Sequence, residues 1–225
     1  MTDDVTVISP GQEKLIDDLR RGRLPAGQDP AKRSQIIDGA RRVFIDMGFD
    51  AASMNDITRA AGVSKGTIYV YFANKEELFE ALIEEERCAI FDDLHLALEQ
   101  GGELRDTLIR YGIALVTKIM SEKVVRAQRT VIGISDRIPE LGARFYERGP
   151  KQGHRKLAEF LRQAAPAAGL AIPDYETAAY QYSDLCFAGL FRQRIFGYRT
   201  EPPSAEEIRK AVTSGVDLFM RGYAA

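Results

Sequence analysis

Residues 53–75, SMNDITRAAGVSKGTIYVYFANK, decide the fold of this chain because they hold three helix-start signals in close succession. In each signal a capping side chain stands three residues before a second polar residue: Ser53 with Asp56, Ser64 with Thr67, and Asn74 with Glu77. Between the first two signals, Gly62 can adopt the left-handed conformation that ends one helix and turns the chain into the next. The segment therefore predicts two short helices joined by a glycine turn and followed by a third helix.

The side chains of this segment divide into an apolar seam and a polar edge. The seam would hold the two short helices at a fixed angle, and it consists of Ile57, Ala60, Ala61, Val63, Ile68 and Phe72. The outward edge of the second helix carries small, polar and aromatic residues, namely Ser64, Lys65, Gly66, Thr67, Tyr69 and Tyr71. This division is typical of a helix-turn-helix whose second helix enters the major groove of DNA.

The basic residues of the chain are concentrated towards its amino end. The formal net charge is −2, but residues 20–75 hold ten basic side chains against five acids, which leaves +5 there and −7 elsewhere. The basic residues are Arg20, Arg21, Arg23, Lys32, Arg33, Arg41, Arg42, Arg59, Lys65 and Lys75, and the acids are Asp29, Asp38, Asp46, Asp50 and Asp56. A basic part on an acidic body fits a single DNA-facing end, although chance scatter of surface charge fits equally well.

Apolar residues recur at helical spacing on both sides of the central segment. Upstream, Asp29 and Pro30 predict a helix start and Gly48 a helix stop. Downstream, we expect helices over residues 75–98, 104–120 and 123–135, helical pieces that begin at Pro139 and Pro150, one helix from Asp174 to about residue 196, and a last helix after Ser204. No alternating strand pattern competes with them, so the predicted fold is all-α.

The predicted organisation has three parts. Residues 1–28 are polar and contain several Gly and Pro residues, which predicts a flexible extension. Its RRGR run at residues 20–23 could enter a minor groove, but a solvated tail is the favoured interpretation. Residues 29–75 form a three-helix domain with the helix-turn-helix, and residues 76–225 form a larger helical domain.

Other residue patterns argue against several classes of protein. Cys88 and Cys186 lie far apart in apolar surroundings, which predicts buried free thiols in a reducing cytoplasm. Neither His95 nor His154 lies near a cysteine, so we expect no metal site, and no catalytic constellation or cofactor motif can be argued. No segment has the length of a membrane span, and the first residues lack a signal-peptide pattern. A cytoplasmic protein without catalytic residues, metal or cofactor is expected.

Residues 31–82 carry a specific resemblance to a known family. The features that carry it are Ala40, Phe44 and Gly48, then Ile57, the run AAGVSKGTIYVYF, and the run NKEELF. In this order and spacing they resemble the DNA-binding domain of the TetR family of transcriptional regulators. Residues 139–161 resemble the AefR-like subgroup of its C-terminal domains. One departure is Thr58, where the family usually has alanine, so its hydroxyl needs a partner.

The resemblance implies roles for individual residues. Ser53 would touch a phosphate at the start of the second helix, and Lys75 would pair with the phosphate backbone. The other implied DNA contacts are Ser64, Lys65, Gly66, Thr67, Tyr69 and Tyr71, with Tyr71 favoured over Tyr69 because Tyr69 also fits core packing. We add Arg33 from the basic amino-terminal part. Double-stranded DNA with a palindromic operator is the expected partner.

The resemblance also implies a homodimer and a small-molecule effector. The expected dimer interface lies on the last two long apolar stripes, at Tyr182, Leu185, Gly189, Val212, Gly215, Val216 and Phe219. No effector-binding residue can be named, because the aromatic side chains of the C-terminal part fit a core better than a pocket. The expected function is a homodimeric repressor that an effector releases from DNA. The alternative is a ligand-independent regulator that a protein partner controls.

Overall fold

The computed structural model describes residues 27–225, so most of the predicted extension lies outside the described residues. The chain divides into two compact units: the first ends at Leu82, and the second comprises Ile83–Ala225. Eleven α-helices lie in the described residues: α1 (Pro30–Ala51), α2 (Met54–Ala61), α3 (Lys65–Tyr71), α4 (Lys75–Glu99), α5 (Leu104–Ile119), α6 (Glu122–Ile134), α7 (Pro139–Arg148), α8 (Pro150–Ala164), α9 (Tyr175–Cys186), α10 (Phe191–Ile195) and α11 (Ala205–Gly222). The described part of the chain contains no strand, which confirms the all-α prediction.

In the first unit, α1 fixes the position of α2 by close packing and by two side-chain hydrogen bonds. The α1 residue Gly39 packs so tightly on Ala61 that a Cβ at Gly39 would lie 2.6 Å from the Ala61 Cβ. Gln35 donates to the carbonyl oxygen of Ala61 at 2.7 Å, and Arg42 donates to that of Ala60 at 2.5 Å. These bonds satisfy carbonyl groups at the end of α2 that have no partner within the helix.

The first unit has its own apolar core. The predicted seam residues Ile57, Ala61, Ile68 and Phe72 are buried in it together with Ile36 and Ile37 of α1. Phe44, Phe49 and Phe79 add an aromatic cluster with ring centroids 5.1–5.6 Å apart. As predicted, Gly48 interrupts the helical geometry of α1, with φ 76°.

Most helix boundaries of the second unit agree with the prediction, and Pro139 and Pro150 do stand at the first position of α7 and α8. The predicted single helix from Asp174 to residue 196 is wrong. It breaks after Cys186, and Gly189 in the connection to α10 adopts φ 76°, a left-handed conformation that regular helix does not allow. The prediction missed the break because the apolar stripe continues across it.

The core of the second unit is centred on Tyr182 of α9. Its ring packs on Tyr111 of α5 and Phe219 of α11, at centroid distances of 6.0 Å and 5.5 Å. Its hydroxyl donates to the carbonyl oxygen of Leu108 at 2.5 Å. Gly215 brings α11 against the backbone of α9, because a Cβ there would lie 2.9 Å from the carbonyl group of Leu185.

A buried arginine anchors the connection between α10 and α11. Arg194 is 1% exposed, and its guanidinium donates to the carbonyl oxygens of Arg199 and Thr200 and, at 3.0 Å, to the carboxylate of Glu122. The same connection holds Phe196 and Tyr198 out into solvent, at 82% and 85% exposure.

The prediction that both cysteines are buried is right for only one of them. Both cysteines are free, and Cys186 is buried as expected, but Cys88 lies exposed on α4. A long helix can expose a cysteine that its apolar neighbours in the sequence appear to bury. Among residues 27–225, no group of acidic, His or Cys side chains has the arrangement of a metal site, and no helix is long and apolar enough to cross a bilayer.

Candidate nucleic-acid interface

The turn between α2 and α3 is built by the local signals of the sequence. Ser53 and Asp56 form a reciprocal capping box at the start of α2, and Ser53 donates to Asp56 at 2.5 Å. This hydrogen bond holds the pKa of the Asp56 carboxyl below its usual range. Gly62 ends α2 in the left-handed conformation, with φ 64°. The hydroxyl of Thr58, the residue that departs from the family pattern, donates to the carbonyl oxygen of Met54 at 2.7 Å and so has its partner within α2.

Helix α3 has one buried side and one open side. Ile68 is fully buried, and at 100° per residue the opposite side of the helix consists of Gly66 and Val70. Lys65 and Tyr69 are exposed and lie on the surface between that side and Ile68. Lys65 makes no ion pair with another described residue, so its charge is available to an external anion. This open side is the candidate interface.

Two hydroxyl groups stand at the start of α3. Ser64 caps the helix by accepting a hydrogen bond from the backbone N–H of Thr67 at 3.0 Å. The hydroxyl oxygens of Ser64 and Thr67 are 2.8 Å apart, so one donates to the other. Thr67 is half-buried, whereas Ser64 is exposed. The pair therefore offers a rigid polar corner with Ser64 as its accessible member.

Gly66 is not required by the packing of the protein itself. A Cβ at this position would meet only the Ser64 hydroxyl, at the ordinary contact distance of 3.8 Å. The helix is regular here, so no positive φ demands glycine either. Any requirement for glycine must therefore come from a surface that approaches α3 from outside.

The two tyrosines of α3 are placed in the opposite order to the one expected. Tyr69 is 47% exposed, whereas Tyr71 is half-buried and packs on the core of the first unit. Tyr69 is therefore the better candidate for an external contact. The prediction favoured Tyr71 because sequence spacing alone did not show which of the two faces Phe72 and the core.

Lys75 has a structural role that the sequence did not predict. Its ammonium group donates to the carbonyl oxygens of Phe49, Asp50 and Ala52, at 2.9 Å, 3.2 Å and 3.2 Å. It also lies 4.6 Å from the ring centroid of Phe49. A lysine ammonium has three N–H donors, and here all three are used within the protein. The expected phosphate contact would have to break this arrangement.

Two further predicted contacts lie at the edges of the interface. Ser53 is exposed, but its hydroxyl is engaged with Asp56 in the capping box. Arg33 is exposed in the first turn of α1, with its guanidinium carbon 5.3 Å from the ring centroid of Phe72. Arg33 therefore stands beside the carboxyl end of α3.

Most of the residues predicted for the dimer interface are buried inside the single chain. Tyr182, Val212, Val216 and Phe219 are at most 2% exposed, and Gly215 is buried between α11 and α9. They have no surface to offer a second copy in this conformation, because their apolar stripes pack the chain's own core. Of the seven, Leu185 is half-buried and Gly189 is exposed.

The sequence reasoning also overlooked two residues at α3. Val70 is 52% exposed and lies one turn after Gly66 on the open side of the helix, a position that the four-residue spacing could have revealed. Gly27 lies against it: a Cβ on Gly27 would be 3.3 Å from the Val70 Cγ1 atom. No sequence signal could have revealed this contact, because it joins residues far apart in the chain.

Two family profiles match the chain. Residues 36–82 match the profile described as bacterial regulatory proteins, tetR family, and residues 106–225 match that of the AefR-like transcriptional repressor, C-terminal domain. A local match of 45% identity over 56 residues joins the chain to the HTH-type transcriptional repressor Rv1474c of Mycobacterium tuberculosis, covering 25% of this chain and 30% of that protein. The HTH-type transcriptional regulator UidR of Escherichia coli K12 is 27% identical over 149 residues, 65% of this chain and 72% of UidR.

Solved structures agree with these profiles over nearly the whole chain. A putative TetR-family regulator from Mesorhizobium loti superposes with a TM-score of 0.78 at 25% identity, covering 87% of this chain and 98% of that one. The flavonoid-responsive regulator FrrA superposes with a TM-score of 0.73 at 33% identity, covering 86% of this chain and 97% of FrrA. Since the C-terminal profile alone spans more than half of the sequence, this chain belongs to the TetR family of DNA-binding transcriptional regulators and carries an AefR-like C-terminal domain.

Proposed function

We propose that this regulator is a homodimeric repressor that binds a palindromic operator through α3 and leaves it when a small molecule binds its C-terminal domain. The observation that carries the DNA-binding half is the open side of α3, where exposed Lys65 flanks Gly66, a glycine that the protein's own packing does not require. Lys65 supplies attraction to phosphate, and the missing side chain at Gly66 lets the helix approach base edges closely. We assign no catalytic residues, because TetR-family regulators are not enzymes.

We propose Lys65, Gly66, Ser64 and Tyr69 as the main DNA contacts. Thr67 and Tyr71 stay as secondary proposals because both are half-buried. Arg33 and Ser53 would contact phosphates at the edge of the interface. For Lys75 the supported role is to tie the start of α4 to the end of α1, which positions the domain.

Two copies of the helix-turn-helix domain are needed, because one short helix makes too few contacts with DNA for selective binding. A twofold dimer would place two α3 helices in successive major grooves, about 34–36 Å apart or a multiple of that distance. We propose that the exposed side of α9 and α11, together with the connection that follows α9, joins the copies. The residues proposed for this contact are half-buried Leu185 of α9, exposed Gly189 of the connection and Leu218 of α11, which is 52% exposed. A repressor acting on the chromosome would reside in the cytoplasm.

Release by an effector is supported by relatives. FrrA, 33% identical to this chain, is a flavonoid-responsive regulator, and the matching C-terminal profile is that of a repressor. Flavonoids are therefore the first compounds to test. An effector can release DNA only if it binds the released conformation more tightly than the DNA-bound one.

Selection of bound duplexes from a random DNA library tests the DNA-binding half. Recovery of an inverted repeat would support a twofold dimer, and Lys65→Gln should weaken binding to that repeat and lower the salt slope of the binding constant by about 2 per dimer. The matched control is Lys151→Gln, which removes an exposed lysine from α8 and should change neither quantity. Failure to enrich any sequence would contradict the proposal.

Titration of the selected complex with flavonoids and other small molecules tests the effector half. Release of DNA by one compound, together with binding of that compound to the free protein, would support an effector-responsive repressor. If no compound in a broad set releases the DNA, a ligand-independent regulator controlled by a protein partner becomes the better description.

A further inference from the structure

We propose that His154 gives the second unit a pH-sensitive contact: its neutral imidazole holds α8 against α9, and its protonation in mild acid loosens that packing. The inference goes beyond the proposed function, because it concerns the response of the second unit to protons and requires neither DNA nor an effector. It rests on the position of the imidazole among three helices and on the burial of one of its nitrogens.

The imidazole of His154 lies at one end of a chain of three rings that joins α7, α8 and α9. It stacks on the ring of Tyr180 of α9, with a centroid distance of 4.0 Å and an angle of 29° between the planes. The hydroxyl oxygen of Tyr180 lies 3.2 Å from that of Tyr146 of α7, so one hydroxyl donates to the other. Any movement of the His154 ring therefore changes the contact between α8 and α9 and removes a support of the tyrosine pair.

The Nδ1 atom of His154 is buried and makes no hydrogen bond of normal geometry with a described residue. A neutral imidazole can leave this nitrogen without a proton, because it carries its single N–H on the other nitrogen. An imidazolium has two N–H donors, so in this position it would hold a donor without an acceptor inside the protein. The stacked position therefore suits the neutral form of the ring and not the charged one.

The burial of His154 has the corresponding effect on its titration. Burial lowers the pKa of the imidazole below its usual value of 6.5, against smaller effects in the opposite direction from the Pro150 backbone and the Asp184 carboxylate. The ring of Tyr180 keeps its proton over the same range, because the hydrogen bond with Tyr146 raises the pKa of Tyr180 to about 12. Of the stacked pair, His154 is therefore the group that changes charge in the physiological range.

The acids near the stack do not offset the burial. On α9, Glu176 lies one turn before Tyr180 and Asp184 one turn after it, and both carboxylates are exposed. On α7, Glu147 is engaged by Lys151 of α8, whose Nζ atom lies 2.8 Å and 2.9 Å from the two carboxylate oxygens. Asp184 favours the imidazolium, but solvent and salt screen an exposed charge, so burial remains the larger effect.

Helix α4 reaches α8 through an aromatic ring rather than through an acid. A Cβ on Gly153 would lie 3.5 Å from the ring of Phe91 of α4. The Arg87 guanidinium carbon and the Lys156 Nζ atom lie 5.1 Å and 5.0 Å from the centroid of the same ring. Neither cation can accept a hydrogen bond, so these side chains offer no partner to a protonated imidazole.

The lowered pKa fixes the direction of the pH response. Because the folded pKa of His154 lies below 6.5, the unfolded chain binds more protons than the folded one as the pH falls through 6.5 towards the folded pKa. Acid therefore favours states in which the imidazole has left its stack and both nitrogens reach water. An imidazolium on the Tyr180 ring would gain a cation–π attraction, but its Nδ1 donor would stay buried without an acceptor.

The test uses the full-length protein and its only two histidines, His154 and His95. His95 of α4 is exposed, with its Nε2 atom 3.1 Å from a carboxylate oxygen of Glu99, so His95→Gln is the matched control and identifies the His154 signals in NMR spectra. His154→Phe keeps a ring on Tyr180 but cannot take up a proton. Imidazole NMR from about pH 8 to about pH 5 follows the titration. Hydrogen exchange, corrected for its intrinsic pH dependence, measures the protection of the α8 and α9 amides.

We expect the His154 signals to titrate below pH 6.5. The α8 and α9 amides should lose protection in acid by up to about tenfold per pH unit, the limit for one titrating group. His95→Gln should show the same loss, whereas His154→Phe should keep its protection constant. His154→Gln gives the same comparison without an aromatic ring, and the NMR titration needs no variant at position 154.

Titration of His154 at or above pH 6.5 would overturn the inference. So would protection of the α8 and α9 amides that is constant with pH in the unmodified protein, or that falls equally in His154→Phe. None of these results concerns operator binding, so the proposed function would stand.

Discussion

The two units of this protein use apolar periodicity in the same way but differ in where their function can be read. In the first unit, the side chains that point away from the core, such as Lys65 and Tyr69, are those that the proposed function uses. In the second unit, the residues singled out from the sequence, such as Tyr182 and Val216, lie inside the core. A regular apolar stripe identifies the buried side of a helix, and function has to be sought on the opposite side.

The largest effect is expected from Gly39→Ala in the first unit. The added methyl group would lie 2.6–2.7 Å from the Cβ, Cα and backbone N of Ala61, so α2 would have to move away from α1. Overpacking of this kind costs about 3 kcal/mol of unfolding free energy at the upper end of its usual range, and DNA binding should be lost with it. Chemical denaturation of the full chain measures the change.

Gly133→Ala is the matched control, because nothing lies within 4 Å of a Cβ at this α6 position. It should stabilise the protein by about 0.5–1 kcal/mol through the better helix propensity of alanine. If Gly39→Ala were as well tolerated as Gly133→Ala, the close contact between α1 and α2 would not exist in solution.

The second largest effect concerns Lys75 and distinguishes a structural lysine from a DNA-contacting one. Lys75→Gln removes three hydrogen bonds from a charged donor to the carbonyl groups of Phe49, Asp50 and Ala52. We expect a loss of about 2 kcal/mol of unfolding free energy, the usual value for a charged hydrogen bond, with no change in the salt slope of operator binding. Denaturation and salt titration measure the two quantities.

Lys65→Gln should give the reverse pattern: unchanged stability and a lower salt slope. The assignment of Lys75 would be contradicted by an unaltered unfolding free energy together with a slope lowered by about 2 per dimer, since that is the signature of a phosphate contact.

A smaller effect is expected at the centre of the second unit. Tyr182→Phe removes the buried hydrogen bond to the carbonyl oxygen of Leu108, which should cost about 1 kcal/mol of unfolding free energy. Because the side chain has no exposed surface, the dissociation constant of the proposed dimer should stay the same. Sedimentation at several concentrations, with Leu218→Ser as the exposed comparison on α11, checks this point. If the Tyr182→Phe dimer dissociates more readily while its unfolding free energy is unchanged, Tyr182 belongs to the dimer interface after all.

The smallest effect concerns the capping box at the start of α11 and its response to acid. Paired with Arg199 and bonded to the Ser204 backbone, the Glu207 carboxyl has its pKa lowered to about 2, against an ordinary value of 4.5. A lowered pKa stabilises the folded state above the ordinary value, and this contribution disappears as the pH falls from 4.5 to about 2. The difference in thermal midpoint between the unmodified protein and Glu207→Gln should therefore narrow over that interval. A difference that is constant with pH would exclude the pairing.

The helix-turn-helix could be predicted because its determinants are local. Ser53 and Asp56 form their box within four residues, and Gly62 needs only its own backbone freedom. The role of Lys75 could not be predicted, because its partners at residues 49–52 reach it only through the tertiary fold. The break after Cys186 and the burial of Tyr182 escaped prediction for one common reason: an apolar stripe does not reveal what covers it.

The buried guanidinium of Arg194 has a consequence for how this family member can change. It holds the connection before α11 through the backbone carbonyls of Arg199 and Thr200, which any residue types at those positions would supply. The exposed side chains of Phe196 and Tyr198 take no part in these hydrogen bonds. Substitutions at these two positions should therefore cost little stability, so evolution or protein engineering can change the chemistry of this surface.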